Sequence, residues 1–155
     1  MMNIVEKNLR ELNITLPDCP TPVAAYVPAV RAGNFVFASG QTPIAGGNLV
    51  YKGKLGQDLG IEEGYEAARL AAIRVIAELK SVVGDLDRIA RIVKVTGYVN
   101  SAPDFGDQPK VVNGASELFR SVFGEKGDHA RIAFGTGALP DNAAVEIDVI
   151  AYVED

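Results

Sequence analysis

An arginine followed by small residues at every second position is the clearest chemical signal in the sequence. Arg131 precedes Ala133, Gly135 and Gly137 in a stretch that predicts a β-strand over 130–137. In a strand these four residues share one face, so we expect the guanidinium to stand beside a hollow lined by backbone. A planar fork of N–H donors over such a hollow suits a carboxylate, which it can bind with two hydrogen bonds. The alternative is a surface arginine in a glycine-rich edge strand.

A carboxylate in an apolar strand is the second candidate. Glu146 interrupts the sequence Ala143–Ile150, which is otherwise mostly apolar. Partial loss of hydration raises the pKa of a carboxyl group and suits it to proton transfer. The alternatives are an outward-facing strand residue or the partner of a buried arginine.

The single histidine and the single cysteine limit the available chemistry. His129 is the only histidine and Cys19 the only cysteine, so one chain cannot assemble a multi-histidine or Cys/His metal site. We therefore expect no metal and no cofactor. His129 would share a strand face with Arg131, which permits an acid–base role, but its place at the strand's start also fits a solvated position. A lone cysteine excludes an intrachain disulfide and predicts a reducing, cytoplasmic setting.

Composition and charge argue against two further classes of protein. The 155 residues include 15 Lys and Arg against 20 Asp and Glu, a formal net charge of −5. An acidic chain without a basic run is poorly suited to neutralise phosphates, so we expect no nucleic-acid partner. No apolar stretch approaches the length of a membrane span, and the N-terminal residues have no signal-peptide pattern. The length suits one domain over 1–155.

The elements that must position these residues follow from hydrophobic periodicity. The pattern predicts a short N-terminal helix with Val5, Leu9 and Leu12 on one side, strands over 26–31, 35–39 and 51–56, helices over 61–83 and 109–123, and strands over 91–100, 130–137 and 144–153. This order predicts an α+β fold in which a single mixed sheet has both long helices packed on one face. The other face stays bare unless a homo-oligomer covers it.

Two details of these elements are also predicted. Asp107 is the expected N-cap of the second long helix. In the strand over 91–100, alternation predicts two different faces. One face carries Val93, Val95 and Val99, and the other carries Lys94, Thr96, Tyr98 and Asn100. The second face is polar but weakly charged, so it either lines a site or subunit contact or is solvated.

Several segments, in order, resemble the Rid (reactive intermediate deaminase) family. They are Tyr26 with the sequence Gly33-Asn34-Phe35-Val36-Phe37-Ala38-Ser39-Gly40-Gln41-Thr42-Pro43, then Val93–Val99, Asp104-Phe105, Ala130-Arg131, Ala138-Leu139-Pro140 and Val145-Glu146-Ile147. Together they span about the last 130 positions. The resemblance is to a longer subgroup, because residues 1–20 form an N-terminal extension that the shortest members lack.

The resemblance implies a chorismate-mutase-like fold, a homotrimer and sites formed between neighbouring subunits. It implies hydrolysis of 2-imino or 2-enamino acids to 2-keto acids and ammonia. Arg131 matches the arginine that binds the substrate carboxylate, and Glu146 matches the glutamate that holds the attacking water. Tyr26 matches a pocket tyrosine, and Ser39-Gly40 lies in the segment near the substrate.

This chain departs from the family pattern at two positions. Ala133 stands where a cysteine is common, at a position that acts largely through its backbone, and Gly135 replaces a larger residue. Both changes imply a wider or differently shaped pocket. A non-catalytic binder of small carboxylates is therefore the alternative function, and an endoribonuclease, a label that some relatives carry, is the third. The net charge of −5 and the single histidine argue against the endoribonuclease.

Overall fold

The computed structural model describes residues 3–22 and 24–155 and is built on one five-stranded sheet of order β1-β2-β7-β5-β6. The elements in chain order are α1 (Ile4–Glu11), β1 (Ala29–Ala32), β2 (Phe35–Gln41), β3 (Ile44–Ala45), β4 (Asn48–Leu49), α2 (Ile61–Val83), β5 (Ile89–Asn100), α3 (Gln108–Phe123), β6 (Ala130–Thr136) and β7 (Val145–Val153). The pairing of β5 with β6 is parallel and the other three pairings are antiparallel. The predicted mixed sheet is confirmed.

The two long helices cover one face of this sheet, and the core lies between them and the strands. The side of α3 that carries Val111, Ala115, Leu118 and Val122 is buried. The side of α2 that faces the core is rich in alanine, which lets the helices approach closely. The predicted α+β arrangement with both helices on one face is therefore confirmed. Among the described residues, no helix is long and apolar enough to cross a membrane.

The short N-terminal helix packs on this body, as predicted. Val5 and Leu9 are buried. The backbone N–H groups of Ile4 and Val5 each donate to the Asp87 carboxylate at 2.9 Å. A carboxylate at a helix N-terminus satisfies two orphan donors and interacts favourably with the helix dipole.

The strand predicted over 51–56 is not formed. The chain instead makes a two-residue hairpin from β3 and β4, and residues 51–56 run as a loop with isolated bridges. Gly53 and Gly56 adopt φ of 121° and 86°, which is incompatible with a regular strand. The sequence suggested a strand because Tyr51 and Leu55 occupy odd positions and the charged Lys52 an even one, which is the alternation of a half-buried strand.

The first predicted strand is shorter than expected. β1 begins at Ala29 rather than Tyr26. Pro28 cannot donate a backbone hydrogen bond, and the carbonyls of Val27 and Pro28 instead accept from the side chain and backbone of Ser39. The segment before Ala29 is therefore attached to β2 without extending the sheet.

A bulge in β5 changes which residues face the core. The pairing of β5 with β7 shifts between Ile92 and Lys94. Ile92 is fully buried and Val93 is partly exposed, so the prediction for Val93 was wrong, while those for Val95 and Val99 are confirmed. The bulge inserts one extra residue and inverts the alternation before it.

Two polar residues also differ from expectation. Asn100, predicted on the polar face, is fully buried, because Lys54 donates to its side-chain oxygen (3.0 Å) and its amide nitrogen donates to Asn142 (3.0 Å). Asp107 occupies the N-cap position of α3, but its side chain makes no capping hydrogen bond. Its carboxylate pairs with Lys110 at 3.5 Å instead.

The second face of the sheet is uncovered in a single copy of the chain. Strand pairing puts one exposed apolar set on that face: Val30, Phe35, Phe37, Ile132 and Phe134. Each of these side chains is between 41% and 50% exposed. Exposed large apolar side chains concentrated on one face of a sheet are typical of an interaction surface.

We predict that Gly114→Ala destabilises the fold. A Cβ at this position would overlap the backbone carbonyl of Tyr65 on α2, and backbone cannot move aside cheaply. Overpacking of this kind costs about 1–3 kcal/mol, measurable as a lower urea midpoint. Gly106→Ala is the control, because a Cβ there meets nothing within 4 Å. Equal midpoints for the two variants would show that α2 and α3 are not in close contact at Gly114.

Candidate functional site

Arg131 lies on the edge strand β6, and its side chain is on the helix-covered side of the sheet. Its strand partner is the buried Val95. Nη1 of the guanidinium donates to Oδ1 of Asn113 (2.8 Å) and to Oγ of Ser116 (3.2 Å), both on α3. The side chain is partly buried, so α3 holds the guanidinium at a definite place at the margin of the sheet.

A second layer of hydrogen bonds orients Ser116. Oγ of Ser116 lies 2.8 Å from Nε2 of His129, and Nδ1 of His129 lies 2.6 Å from the carbonyl oxygen of Gly127. A carbonyl only accepts, so Nδ1 carries the proton. In the neutral ring Nε2 then accepts from the Ser116 hydroxyl, whose oxygen accepts from Arg131. His129 therefore acts on Arg131 through Ser116 and does not touch it.

The hollow expected beside Arg131 lies further along β6. Gly135 and Gly137 line a cavity of about 270 Å³ with Ser101 and Gln108, and Arg131 is not among its lining residues. A Cβ on Gly135 would lie 2.8 Å from the Gln108 amide nitrogen and 3.0 Å from Ser101 Oγ. The side chains of Gln108 and Ser101 thus occupy part of the space that a side chain at position 135 would fill. Ala133 packs against the core.

Glu146 lies on the opposite, uncovered face of the sheet. Its pairing partner on β5 is Tyr98, which in turn pairs with Phe134. Burial raises the pKa of the Glu146 carboxyl, and the charge of Asp148 on the same face raises it further. Asp148 accepts a 3.0 Å hydrogen bond from the Tyr98 hydroxyl. A carboxyl with a raised pKa can exchange protons closer to neutral pH.

The segment containing Ser39 and Gly40 shapes the surroundings of Glu146. A Cβ on Gly40 would lie 3.0 Å from the Glu146 carboxyl carbon, so only glycine lets β2 pass this closely. The Ser39 hydroxyl donates to the Val27 carbonyl at 2.7 Å and so holds the segment that carries Tyr26. Tyr26 is 53% exposed.

A cavity of about 330 Å³ joins these residues to α2. Tyr26, Gly40 and Glu146 line it, and so do Arg74 and Glu78 of α2. Glu78 is fully buried, and neither of its carboxyl oxygens has a hydrogen bond within the described part of the chain. Burial raises the pKa of Glu78 to about 8; the nearby Gln41 side chain and Arg74 charge oppose this only in part.

The predicted site residues therefore fall into two groups. Glu146, Gly40 and Tyr26 line one cavity, and Ser39 supports it from behind. Arg131 and Ala133 lie on the other side of the sheet, since their partners Val95 and Gly97 are core positions. A single copy of the chain does not bring Arg131 and Glu146 together.

Sequence reasoning missed the residues that support each group. Asn113 and Ser116 contact Arg131 from α3, 18 and 15 residues earlier, and no local pattern signals that contact. Arg74 and Glu78 are four residues apart on α2, the spacing of an ordinary surface ion pair. That spacing gave no sign that the two side chains line a cavity.

Comparison with known proteins gives the class to which this architecture belongs. Residues 6–153 match the family model described as "YjgF/chorismate_mutase-like, putative endoribonuclease". The chain belongs to this YjgF/RutC (Rid-like) family, and its chorismate-mutase-like fold is confirmed.

Individual relatives cover nearly the whole chain. Protein TCP17 of Trypanosoma cruzi is 44% identical over 152 residues, which are 97% of this chain and 95% of the relative. The crystal structure of "a putative endoribonuclease" from Shewanella oneidensis MR-1 is 34% identical and covers 97% of this chain and 100% of its own, with a TM-score of 0.94. The 2-iminobutanoate/2-iminopropanoate deaminase of Dermatophagoides farinae is 29% identical, over 91% of this chain and 95% of its own.

We predict that Glu78 makes the protein less stable as pH rises. The folded carboxyl keeps its proton to a pKa of about 8, whereas the unfolded one loses it near 4.5. The folded state therefore binds more protons between these values, and its stability falls across that window, by on the order of a few kcal/mol. Glu78→Gln removes this dependence, measured as the urea midpoint from pH 5 to 9 at fixed protein concentration. Glu66→Gln, exposed on the same helix, is the control. Parallel profiles for Glu78→Gln and the wild type would contradict the prediction.

Proposed function

We propose that this protein hydrolyses 2-imino and 2-enamino acids to 2-keto acids and ammonia, at sites completed by two neighbouring copies. The observation that carries the proposal is that Arg131 and Glu146 lie on opposite faces of one sheet. Hydrogen bonds to α3 hold Arg131 in place, and burial raises the pKa of Glu146. The deaminase of Dermatophagoides farinae supports the reaction class. The uncovered apolar face supports the assembly, in which the Arg131 group of one copy meets the Glu146 group of the next.

Arg131 binds the substrate carboxylate in this proposal. Within the described part of the chain only Nη1 of its guanidinium is engaged, which leaves Nε and Nη2 to donate to a carboxylate. Asn113 and Ser116 hold the guanidinium plane, so little side-chain entropy is lost on binding. The backbone at Ala133 lies beside the same carboxylate.

Glu146 moves the protons. Its carboxylate accepts a proton from the water whose oxygen attacks the imine carbon, and the C=N bond becomes a carbinolamine C–N bond. Glu146 returns that proton to the nitrogen, which completes the carbinolamine. It then carries the proton of the new hydroxyl group to the same nitrogen as the C=O bond forms, the C–N bond breaks and ammonia leaves. The raised pKa of Glu146 favours both transfers near neutral pH. Tyr26 and Gly40 line the space beside the reacting carbon.

The proposal extends to assembly and location. We propose a homotrimer, in which the five exposed apolar side chains of the sheet become buried, and a cytoplasmic location, which the lone cysteine favours.

Ammonia release from freshly generated 2-iminobutanoate or 2-aminoacrylate tests the activity. We expect Arg131→Ala to lower kcat/KM at least about tenfold to a hundredfold, because each charged hydrogen bond contributes about 1.5–3 kcal/mol. Glu146→Gln should lower kcat by about 10²–10⁴. Arg10→Ala, an exposed change on α1, is the control. If pure protein does not exceed the buffer rate but still binds small carboxylates, the protein is a binder and not a deaminase.

Mixing the two inactive variants tests whether two copies share a site. If Arg131 and Glu146 act from different copies, trimers assembled randomly from equal amounts of Arg131→Ala and Glu146→Gln regain both native groups in about a quarter of their sites. Activity should therefore recover to about that fraction after co-refolding. A mixture no more active than the separate variants would place each site within a single copy.

Substitution on the uncovered face tests the assembly. Phe37 is 46% exposed on that face, and Phe37→Asp would place a charge in the subunit contact. Light scattering should change from about 49 kDa, for three 16.4-kDa chains, to the mass of one. Ile4→Asp, on α1 and 70% exposed, should leave the trimer intact. A monomeric wild type at micromolar concentration would refute the proposed assembly.

A further inference from the structure

The end of the 330 Å³ cavity that lies against α2 has no role in the proposed deamination. Gln41, Arg74 and Glu78 form this end, which we call the α2 subsite. Gly40 contacts Glu146, and the next residue, Gln41, pairs with the core residue Ile147 and hydrogen bonds to Arg74. The cavity therefore extends from the reacting carboxyl, past the end of β2, to the helix side of the sheet.

Arg74 brings a positive charge to this subsite. Its side chain is partly buried and forms no salt bridge with the residues that the structure describes. Nε donates to Oε1 of Gln41 at 3.0 Å. Burial lowers the pKa of Arg74, which reflects the cost of keeping the guanidinium charged without an anion. A bound anion would offset that cost.

Gln41 adds a neutral donor. A guanidinium has no acceptor, so the Gln41 atom that contacts Arg74 must be the carbonyl oxygen. The amide nitrogen, with two N–H groups, is then fixed on the other side of the side chain. Gln41 is 8% exposed, and its side chain lowers the pKa of Glu78, which places the amide close to that carboxyl at the inner end of the cavity.

Glu78 adds a carboxyl group without a negative charge. It is fully buried, one helical turn after Arg74, and both oxygens lack hydrogen bonds within residues 3–22 and 24–155. A charged carboxylate in that position would be strongly disfavoured, so the group is a neutral acid at neutral pH. A neutral carboxyl brings no negative charge to the wall of the cavity, so it does not repel an anion bound beside Arg74.

The α2 subsite thus combines a guanidinium and an amide N–H, and the carboxyl group beside them is neutral. Such a set matches a group that only accepts hydrogen bonds and carries a negative charge. We propose that the α2 subsite binds a second carboxylate, so that the preferred substrates are dicarboxylic 2-imino acids of four or five carbons. The position of the reacting end of the ligand depends on the proposed function. The evidence for the distal carboxylate comes from Gln41, Arg74 and Glu78.

Two features favour a carboxylate over a doubly charged phosphate. Asp141 and Glu146 also line the cavity, so a doubly charged phosphate group at the α2 subsite would be repelled more strongly than a singly charged carboxylate. The volume of about 330 Å³ lies near the lower end of the range for small-molecule sites, about 300–1,000 Å³, which suits a short, flat ligand.

Kinetic discrimination between two substrates tests the subsite. We expect kcat/KM for 2-iminoglutarate, generated in situ from glutamate by an amino-acid oxidase, to exceed that for 2-iminobutanoate about tenfold. Arg74→Met should raise KM for 2-iminoglutarate at least about tenfold, the effect of losing one charged hydrogen bond, and leave 2-iminobutanoate unchanged. Arg69→Met, on the same helix, is the matched control. Gln41→Leu, which leaves α2 intact, should lower the preference in the same direction.

A binding measurement separates this inference from the deaminase proposal. Glutarate should raise the melting temperature of the wild type more than butanoate does, and Arg74→Met should abolish the difference. Glutarate stabilisation without any turnover would retain the subsite and refute the deaminase. Turnover with no preference for glutarate over butanoate, or equal stabilisation by inorganic phosphate, would refute the second-carboxylate subsite.

Discussion

The alternation of side chains across the five-stranded sheet decides on which face each candidate site residue lies. Strand pairing aligns Arg131 with the core residue Val95, and Glu146 with Tyr98 on the uncovered face. The two groups that the proposed chemistry needs are therefore separated by the sheet itself. No side-chain rotation can join them within one copy. In the proposed deaminase, assembly is therefore a condition for activity, because another copy presents the group that one copy lacks at each site.

The two halves of the proposed site, one around Arg131 and one around Glu146, are held in position in different ways. The Arg131 half is rigid, since Asn113, Ser116 and His129 form a continuous set of hydrogen bonds behind the guanidinium. The Glu146 half is shaped by burial, which raises the pKa of its carboxyl, and by a glycine that leaves it room. Both the hydrogen bonds behind Arg131 and the burial of Glu146 reduce the side-chain rearrangement that ligand binding requires.

Much of the fold could be predicted, because periodicity reports burial directly. The bounds of α2 were predicted without error, and α3, β6 and β7 to within one residue. The errors arose where local geometry broke the alternation, at the β5 bulge before Val93 and in the glycine-rich loop over 51–56. Neither event leaves a periodic trace, since a bulge adds a residue without changing residue types.

The candidate site could be predicted only at its two ends. Residue type and strand phase pointed to Arg131 and Glu146, and the family resemblance added Tyr26, Ser39 and Gly40. The tertiary contacts that give these residues their setting could not be inferred. The burial of Glu78 depends on how α2 meets the end of β2, and the hydrogen bonds to Arg131 depend on the register between α3 and β6. The burial of Glu78 and the hydrogen bonds to Arg131 both depend on long-range packing between helices and strands.

The placement of β6 at the end of the strand order has a cost during biosynthesis. Within residues 3–22 and 24–155 of one copy, only β5 pairs with it, so one side of its backbone is left without ladder partners, beside the apolar Ile132 and Phe134. An open ladder of this kind can template the addition of strands from any unfolded chain nearby. In the proposed assembly, a newly made copy is therefore most vulnerable to aggregation in the interval before it meets another copy.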